Sequence, residues 1–136
     1  MTTWLALDIG EKRIGLAVGN DAARLARPLR VLIRGSKNED FDAIAQAAQE
    51  VGAEALLVGL PLNMNGSEGP QARSVRKYAE RLRRRLNMPL HFHDERLTSF
   101  MADQILMQRT KMKARRQPND AIAAAAILQS FLERTD

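Results

Sequence analysis

The chain has no cysteine among its 136 residues. Disulfide scaffolds, zinc-thiolate centres and cysteine nucleophiles are excluded at once. Aromatic residues are scarce: Trp4, Phe41, Tyr78, Phe92, Phe100 and Phe131 make up the whole set. They are scattered, mostly at core-like positions, which argues against a base-stacking platform. Long apolar runs are missing too. The longest uncharged apolar stretch, Ala121 to Leu132, falls short of the roughly 20 residues that span a bilayer. Met1 to Asp8 carries neither a basic region nor a long apolar run, so no signal peptide is read there. These absences predict a soluble, cytoplasmic protein without a membrane partner. An apolar fraction of 45% over this length predicts one globular domain spanning 1–136.

What is present is a basic excess, 21 Lys plus Arg against 16 Asp plus Glu. A net charge of +5 suits a polyanionic partner held through its phosphates, although it also serves plain solubility. Alternating apolar residues predict strands at Trp4–Ile9, Arg13–Gly19, Pro28–Ile33, Ala55–Gly59 and Leu90–His93. The Gly10–Lys12 turn makes the first two an antiparallel hairpin. Phe41, Ile44, Ala48 and Val51 fall at helical spacing, with Gly52 as the stop. Pro70 opens a long helix with Ala72, Val75, Ala79, Leu82 and Leu86 as its apolar stripe. Two more helices are predicted, near Ser99–Arg109 and Pro118–Glu133, separated by a basic linker at Lys111–Arg116. The sum is an α/β chain: a five-stranded mixed sheet with helices on both faces, in the element order of an RNase H-like fold.

Three carboxylates stand out. Asp8 interrupts an apolar strand, where a lone charge costs several kcal/mol unless it is paired or metal-bound. An ion pair with Lys12 or Arg13 is the plain alternative. Glu95 follows the last strand, where sites gather in α/β sheets; a solvated turn of Asp94, Glu95 and Arg96 would explain it equally. Asp120 begins the last helix, where capping alone accounts for an acid. The alanines that follow it, Ala121 and Ala123 to Ala126, let that helix approach the sheet and bring Asp120 to the strand ends. Acids from three elements of one sheet could hold two Mg²⁺ or Mn²⁺ ions about 3.5–4 Å apart for in-line attack on phosphorus.

Four segments carry a resemblance: LALDIGEKRIGLAVGN at 5–20, VGLPLNMNGSEGPQA at 58–72, HDERLTS at 93–99 and NDAIAAAAILQSFL at 119–132. In order and spacing the chain resembles the YqgF family, also called RuvX. These are RNase H-like Holliday junction resolvases, also linked to 5′-end maturation of precursor 16S ribosomal RNA. The resemblance implies metal-dependent phosphodiester cleavage without a nucleotide cofactor. Carried over residue by residue, the family's metal-binding acids fall on Asp8, Glu95 and Asp120. Asn65 stands where the family often has Asp, a departure expected to touch loop contacts rather than chemistry.

Around these acids, Lys12, Arg13, Asn63, Asn65 and Arg96 are candidate nucleic-acid contacts, with turn, loop and solvated-surface roles as the bland alternatives. Lys111, Lys113, Arg115 and Arg116 form a basic run directly before Asp120, the better candidate for a nucleic-acid track. Seven cations between Arg73 and Arg85 read as a lopsided but solvated helix face. His91 and His93 share a strand face, yet no third zinc ligand accompanies them. The partners expected are branched or single-stranded DNA, or precursor ribosomal RNA, bound by a monomer or homodimer. The competing reading is a non-catalytic nucleic-acid-binding factor in ribosome assembly, which would tolerate amides in place of the acids. An ATPase remnant, suggested by the D-x-G hairpin, ranks last because one domain lacks a second half to close over nucleotide.

Overall fold

The computed structural model describes residues 1–98 and 119–134. Period-two alternation makes β1 (Thr3–Ile9) and β2 (Arg13–Asn20) a hairpin, with Asp8 opposite Gly15 and Ile9 opposite Ile14. Strand β3 (Ala26–Ile33) continues the meander antiparallel to β2, with a bulge between Leu16 and Ala17. Helix α1 (Lys37–Val51) follows. It starts at a capping box of Ser36 and Glu39 and stops at Gly52, which takes the left-handed conformation at φ 69°. Strand β4 (Ala55–Leu60) pairs parallel with β1. Helix α2 (Pro70–Leu86) leads into β5 (Leu90–Asp94), parallel to β4. A single 3₁₀ turn, Glu95–Leu97, ends that strand, and helix α3 (Asn119–Arg134) closes the described chain.

The sheet order β3-β2-β1-β4-β5 puts β1 in the middle. The C-terminal ends of β1, β4 and β5 therefore share one edge. Leu5, Leu7 and Ile9 pack with α1 and α2 on one face, against Phe41, Ile44, Val75 and Leu82. Trp4 and Ala6 pack on the other face with Ala124, Ala125, Leu128 and Leu132 of α3. Helices on both faces of a five-stranded mixed sheet agree with the expectation. The predicted helix near Ser99–Arg109 and the linker Lys111–Arg116 lie outside the described residues. Among the described residues no helix is long and apolar enough to cross a membrane.

Helix α3 sits unusually close to the sheet because both surfaces are stripped of side chains. Ala121, Ala124 and Ala125 are wholly buried. A Cβ on Gly15 would lie 1.9 Å from the Asp120 carbonyl oxygen. That contact makes Gly15 a packing glycine. Gln129 fastens the far end of the helix, accepting from the Ala26 amide at 2.9 Å and donating to the Arg24 carbonyl at 2.9 Å.

Candidate active site

Asp8 faces the α3 side of the sheet, as the alternation of β1 requires. Glu95 enters the same space from the 3₁₀ turn beyond β5. Together they line a cavity of about 230 Å³ with Thr98, Ala123, Ala126 and Ile127. The two carboxyl groups share a hydrogen bond. Burial pushes the Glu95 carboxyl up to about 7, aided by the neighbouring Asp8 charge and by the hydrogen bond between them. Burial likewise raises Asp8, the hydrogen bond from Glu95 opposes that, and the Asp120 charge adds to it. The ion pair of Asp8 with Arg13 is thus not what occupies this carboxylate. Arg13 Nη1 lies 3.9 Å from Asp120 Oδ2 instead.

Asp120 is half-buried in the first turn of α3, near enough for its charge to act on Asp8 but not among the residues lining the cavity. Among the described residues no cluster of three acid or histidine side chains is ready-made for a metal. The hard oxygen donors lining the cavity are the carboxyl groups of Asp8 and Glu95. Thr98 lines it too, but its Oγ1 is itself buried and has no hydrogen-bond partner among the described residues, which is rare in folded proteins.

Three supporting residues were not legible beforehand. Ser130 of α3 donates to the Leu97 carbonyl at 2.8 Å and lies 3.2 Å from His93 Nε2, tying the turn that carries Glu95 to the helix. Thr98 ends the 3₁₀ turn with its amide on the Glu95 carbonyl; the helix expected from Ser99 lies outside the described residues. Gly59 makes room for Glu95: a Cβ there would lie 2.7 Å from Glu95 Oε1 and 2.6 Å from Ile127 Cδ1. Both atoms end flexible side chains, so Gly59→Ala is expected to fold. It should push Glu95 away from Asp8, and a carboxyl-carbon NMR titration should find the Glu95 value moved back towards the ordinary 4.5. An unchanged titration would remove Gly59 from the site.

The other candidates are distributed as follows. Lys12 accepts the Arg34 amide at its carbonyl in the hairpin turn. Arg96 is fully engaged with Asp94, at 2.7 Å, and with the Met64 carbonyl, at 2.9 Å. Asn63 and Asn65 bond to Ser67 within their own loop. Lys111, Lys113, Arg115 and Arg116 lie outside the described residues. His91 and His93 are packing residues: His91 meets Trp4 edge-on at 5.2 Å, and His93 meets Phe131 at 6.0 Å. The basic face of α2 is partly neutralised, since Arg76 pairs with Glu68, Arg83 with Glu80 and Arg85 with Asp42.

The chain as a whole has known relatives. The family model for RuvX, described as Holliday junction resolvase, matches residues 2–134. A protein of Anaeromyxobacter sp. (strain K) named "Putative pre-16S rRNA nuclease" is 46% identical over 132 residues, covering 96% of each chain. A relative of the same name in Moorella thermoacetica is 40% identical, over 96% of this chain and 94% of its own. In structure the chain is similar to T. thermophilus RuvC solved with a Holliday junction substrate, with a TM-score of 0.65 at 15% identity, over 96% of this chain and 92% of that one. It is also similar to the fowlpox virus resolvase, with a TM-score of 0.61 at 9% identity, covering 96% and 97%. At those identities the two structures establish the RNase H-like fold. With its family match running nearly end to end, the chain belongs to the RuvX family and is a nuclease, an enzyme that hydrolyses phosphodiester bonds.

Proposed function

We propose that this nuclease cuts structured nucleic acid with Asp8, Glu95 and Asp120 as its catalytic acids, and that these acids hold Mg²⁺ or Mn²⁺. The observation that carries the reading is the Asp8–Glu95 pair, two half-buried carboxyl groups facing each other across one cavity. Such a pair costs desolvation and repulsion, and a divalent cation relieves both. The donor set fits a hard ion: carboxylate oxygens and no sulfur. When bound, the ion supplies Lewis acidity towards the phosphate under attack.

The chain's own residues do the positioning. Asp8 is fixed by the central strand and Glu95 by the turn that Ser130 holds. Gly59, Ala123 and Ala126 keep the cavity open for a phosphate. Arg13, beside Asp120 and largely exposed, offers a guanidinium to the backbone of the substrate, with Lys12 in the same turn. Lys111, Lys113, Arg115 and Arg116 extend this basic track in the sequence towards Asp120. The names carried by relatives support two substrates, Holliday junctions and precursor 16S ribosomal RNA, the latter cut at its 5′ end in this reading. Symmetric cutting of a junction calls for a homodimer, and trimming at one RNA site needs only a monomer. A cytoplasmic place of action suits either. The non-catalytic assembly-factor reading is not favoured, because a protein that only binds gains nothing from a buried acid pair.

The test offers the protein four-way DNA junctions, single strands and precursor ribosomal RNA in Mg²⁺, Mn²⁺ or EDTA. Cutting is expected with a divalent ion and not in EDTA. The same ions should raise the melting temperature without any nucleic acid, since a ligand of the folded state stabilises it by mass action. Absence of both cutting and the metal-induced shift would overturn the reading.

A further inference from the structure

The loop between β4 and α2 bonds the polar side chains of its tip to one another. Asn63 Nδ2 donates to Ser67 Oγ at 3.0 Å, and Ser67 Oγ donates to Asn65 Oδ1 at 2.6 Å. The backbone closes around them, with Asn63 N on the Ser67 carbonyl and Gly66 N on the Asn63 carbonyl, both at 2.9 Å. Gly66 supplies the positive φ of 88° that the turn needs. The Met64 carbonyl accepts Arg96 Nη1 at 2.9 Å, and Asp94 holds the same guanidinium through Nε and Nη2. Arg96 is the residue after Glu95. The loop tip is therefore latched to the turn that carries one of the two cavity acids.

The exposed side chains of this latched tip are Asn63, Met64, Asn65 and Ser67; Met64, 93% exposed, is the apolar one and the most exposed large apolar residue described. Leu97, on the same turn as Glu95, is 46% exposed. Single exposed apolar residues are common and mean little on a mobile loop. Here Arg96 ties the backbone of the residue to the turn that carries Glu95, and the polar side chains on either side of it are bonded to one another. A nucleic acid offers such a residue two surfaces, phosphates and base faces. An uncharged thioether has nothing for a phosphate, but it is polarisable and packs well on an aromatic ring. Apolar side chains set between bases are a general means of unstacking nucleic acid.

We infer that Met64 is a base-contacting wedge: it packs on a nucleobase next to the phosphodiester bond held at Asp8 and Glu95, and so selects substrates whose bases there are already unpaired or weakly stacked. The inference rests on the proposed cleavage at those acids. Unstacking is least costly at branch points, single strands and ends, so the wedge favours them over continuous duplex.

The experiment uses a four-way DNA junction and a single strand, prepared as sets that carry 2-aminopurine in turn at each base flanking the branch point or along the strand. Binding is read with the Asp8→Asn chain, and cutting with Asp8 intact. With Met64 present, binding should raise the fluorescence of the base; with Met64→Ala it should not. In the cutting chain, Met64→Ala should raise KM about three- to tenfold and leave kcat within about twofold, the loss of one base-packing contact. Met64→Phe should restore both fluorescence and KM, and the melting temperature of Met64→Ala should match the parent. Unchanged fluorescence and KM in Met64→Ala would overturn the wedge. A chain that cuts nothing yet shows the Met64-dependent signal would support the wedge and count against the proposed cleavage.

Discussion

Asp8→Asn is expected to abolish cutting while making the metal-free protein more stable above neutral pH. The two effects have one origin. Changing outer partners of metal sites commonly costs about 10–100-fold, and an oxygen donor of the cavity itself should cost more, so cutting should fall by at least about a hundredfold. Stability moves the other way because the native pair is strained without a cation. Glu95 is raised from 4.5 to about 7 in the folded chain, by burial first and by Asp8 second. The folded state thus binds the proton more tightly than the unfolded chain. Stability must then fall as pH rises from about 4.5 through 7 and stay low above it. Asparagine at position 8 removes the like charge and offers an amide N–H to the ionised Glu95. The slope should flatten, though not vanish, because burial is the larger cause and persists. Thermal melts in EDTA between pH 4.5 and 8 would measure it. Added Mg²⁺ or Mn²⁺ should raise the melting temperature of the parent and do less for the variant. Cutting retained by Asp8→Asn would remove Asp8 from the chemistry. A variant that lost activity and stability together would show a structural role instead.

The sequence made Asp8 and the helix approach legible for the same reason: both are local violations of a pattern. A carboxylate in LALDI and a run of alanines in NDAIAAAA are visible without knowing any contact. The mixed sheet with helices on both faces followed from period-two alternation and from the switch to β–α–β in the second half; the strand order came with the structure. What escaped was set by contacts distant in the chain. Gly59 lies next to the end of an ordinary buried strand, and only Glu95 and Ile127, distant in the chain, reveal why it has no side chain. Ser130 reads as one polar residue on an apolar helix until Leu97 and His93 are found beside it. Asn63 and Asn65 read as candidate phosphate contacts because polar loops before helices often are. What the sequence could not show is that these short side chains also bond to Ser67 within the loop. Arg96 was drawn to Asp94, two residues away, rather than to Glu95, and so became the latch of the Met64 loop.

Gly15→Ala should be the most damaging single-methyl change in the described chain. Its effect should appear in stability before activity. No left-handed backbone forbids alanine here, since Gly15 is not among the positive-φ residues. Alanine would even restrict the unfolded chain, which by itself favours folding by about 0.4–1 kcal/mol. Space decides the sign. The added Cβ would sit 1.9 Å from the Asp120 carbonyl oxygen, 2.3 Å from its carbon and 2.9 Å from the Ala121 nitrogen. All three are backbone atoms of α3, so no rotamer change clears them, unlike the side-chain ends that face Gly59. The start of the helix must lift from β2. Overpacking of this kind typically costs about 1–3 kcal/mol and occasionally more, which outweighs the entropic gain. For a chain of this size that corresponds to roughly 5–10 °C in melting temperature. An unchanged melting temperature would show that α3 does not press on β2 as described. The geometry also links this packing to the site. Gly15 is the register partner of Asp8 across the hairpin, and the displaced peptide belongs to Asp120. At temperatures where Gly15→Ala remains folded, its cutting should therefore fall more than its folded fraction does. Glycine at this position is what lets one strand of the sheet carry an acid while its neighbour receives the helix that carries another.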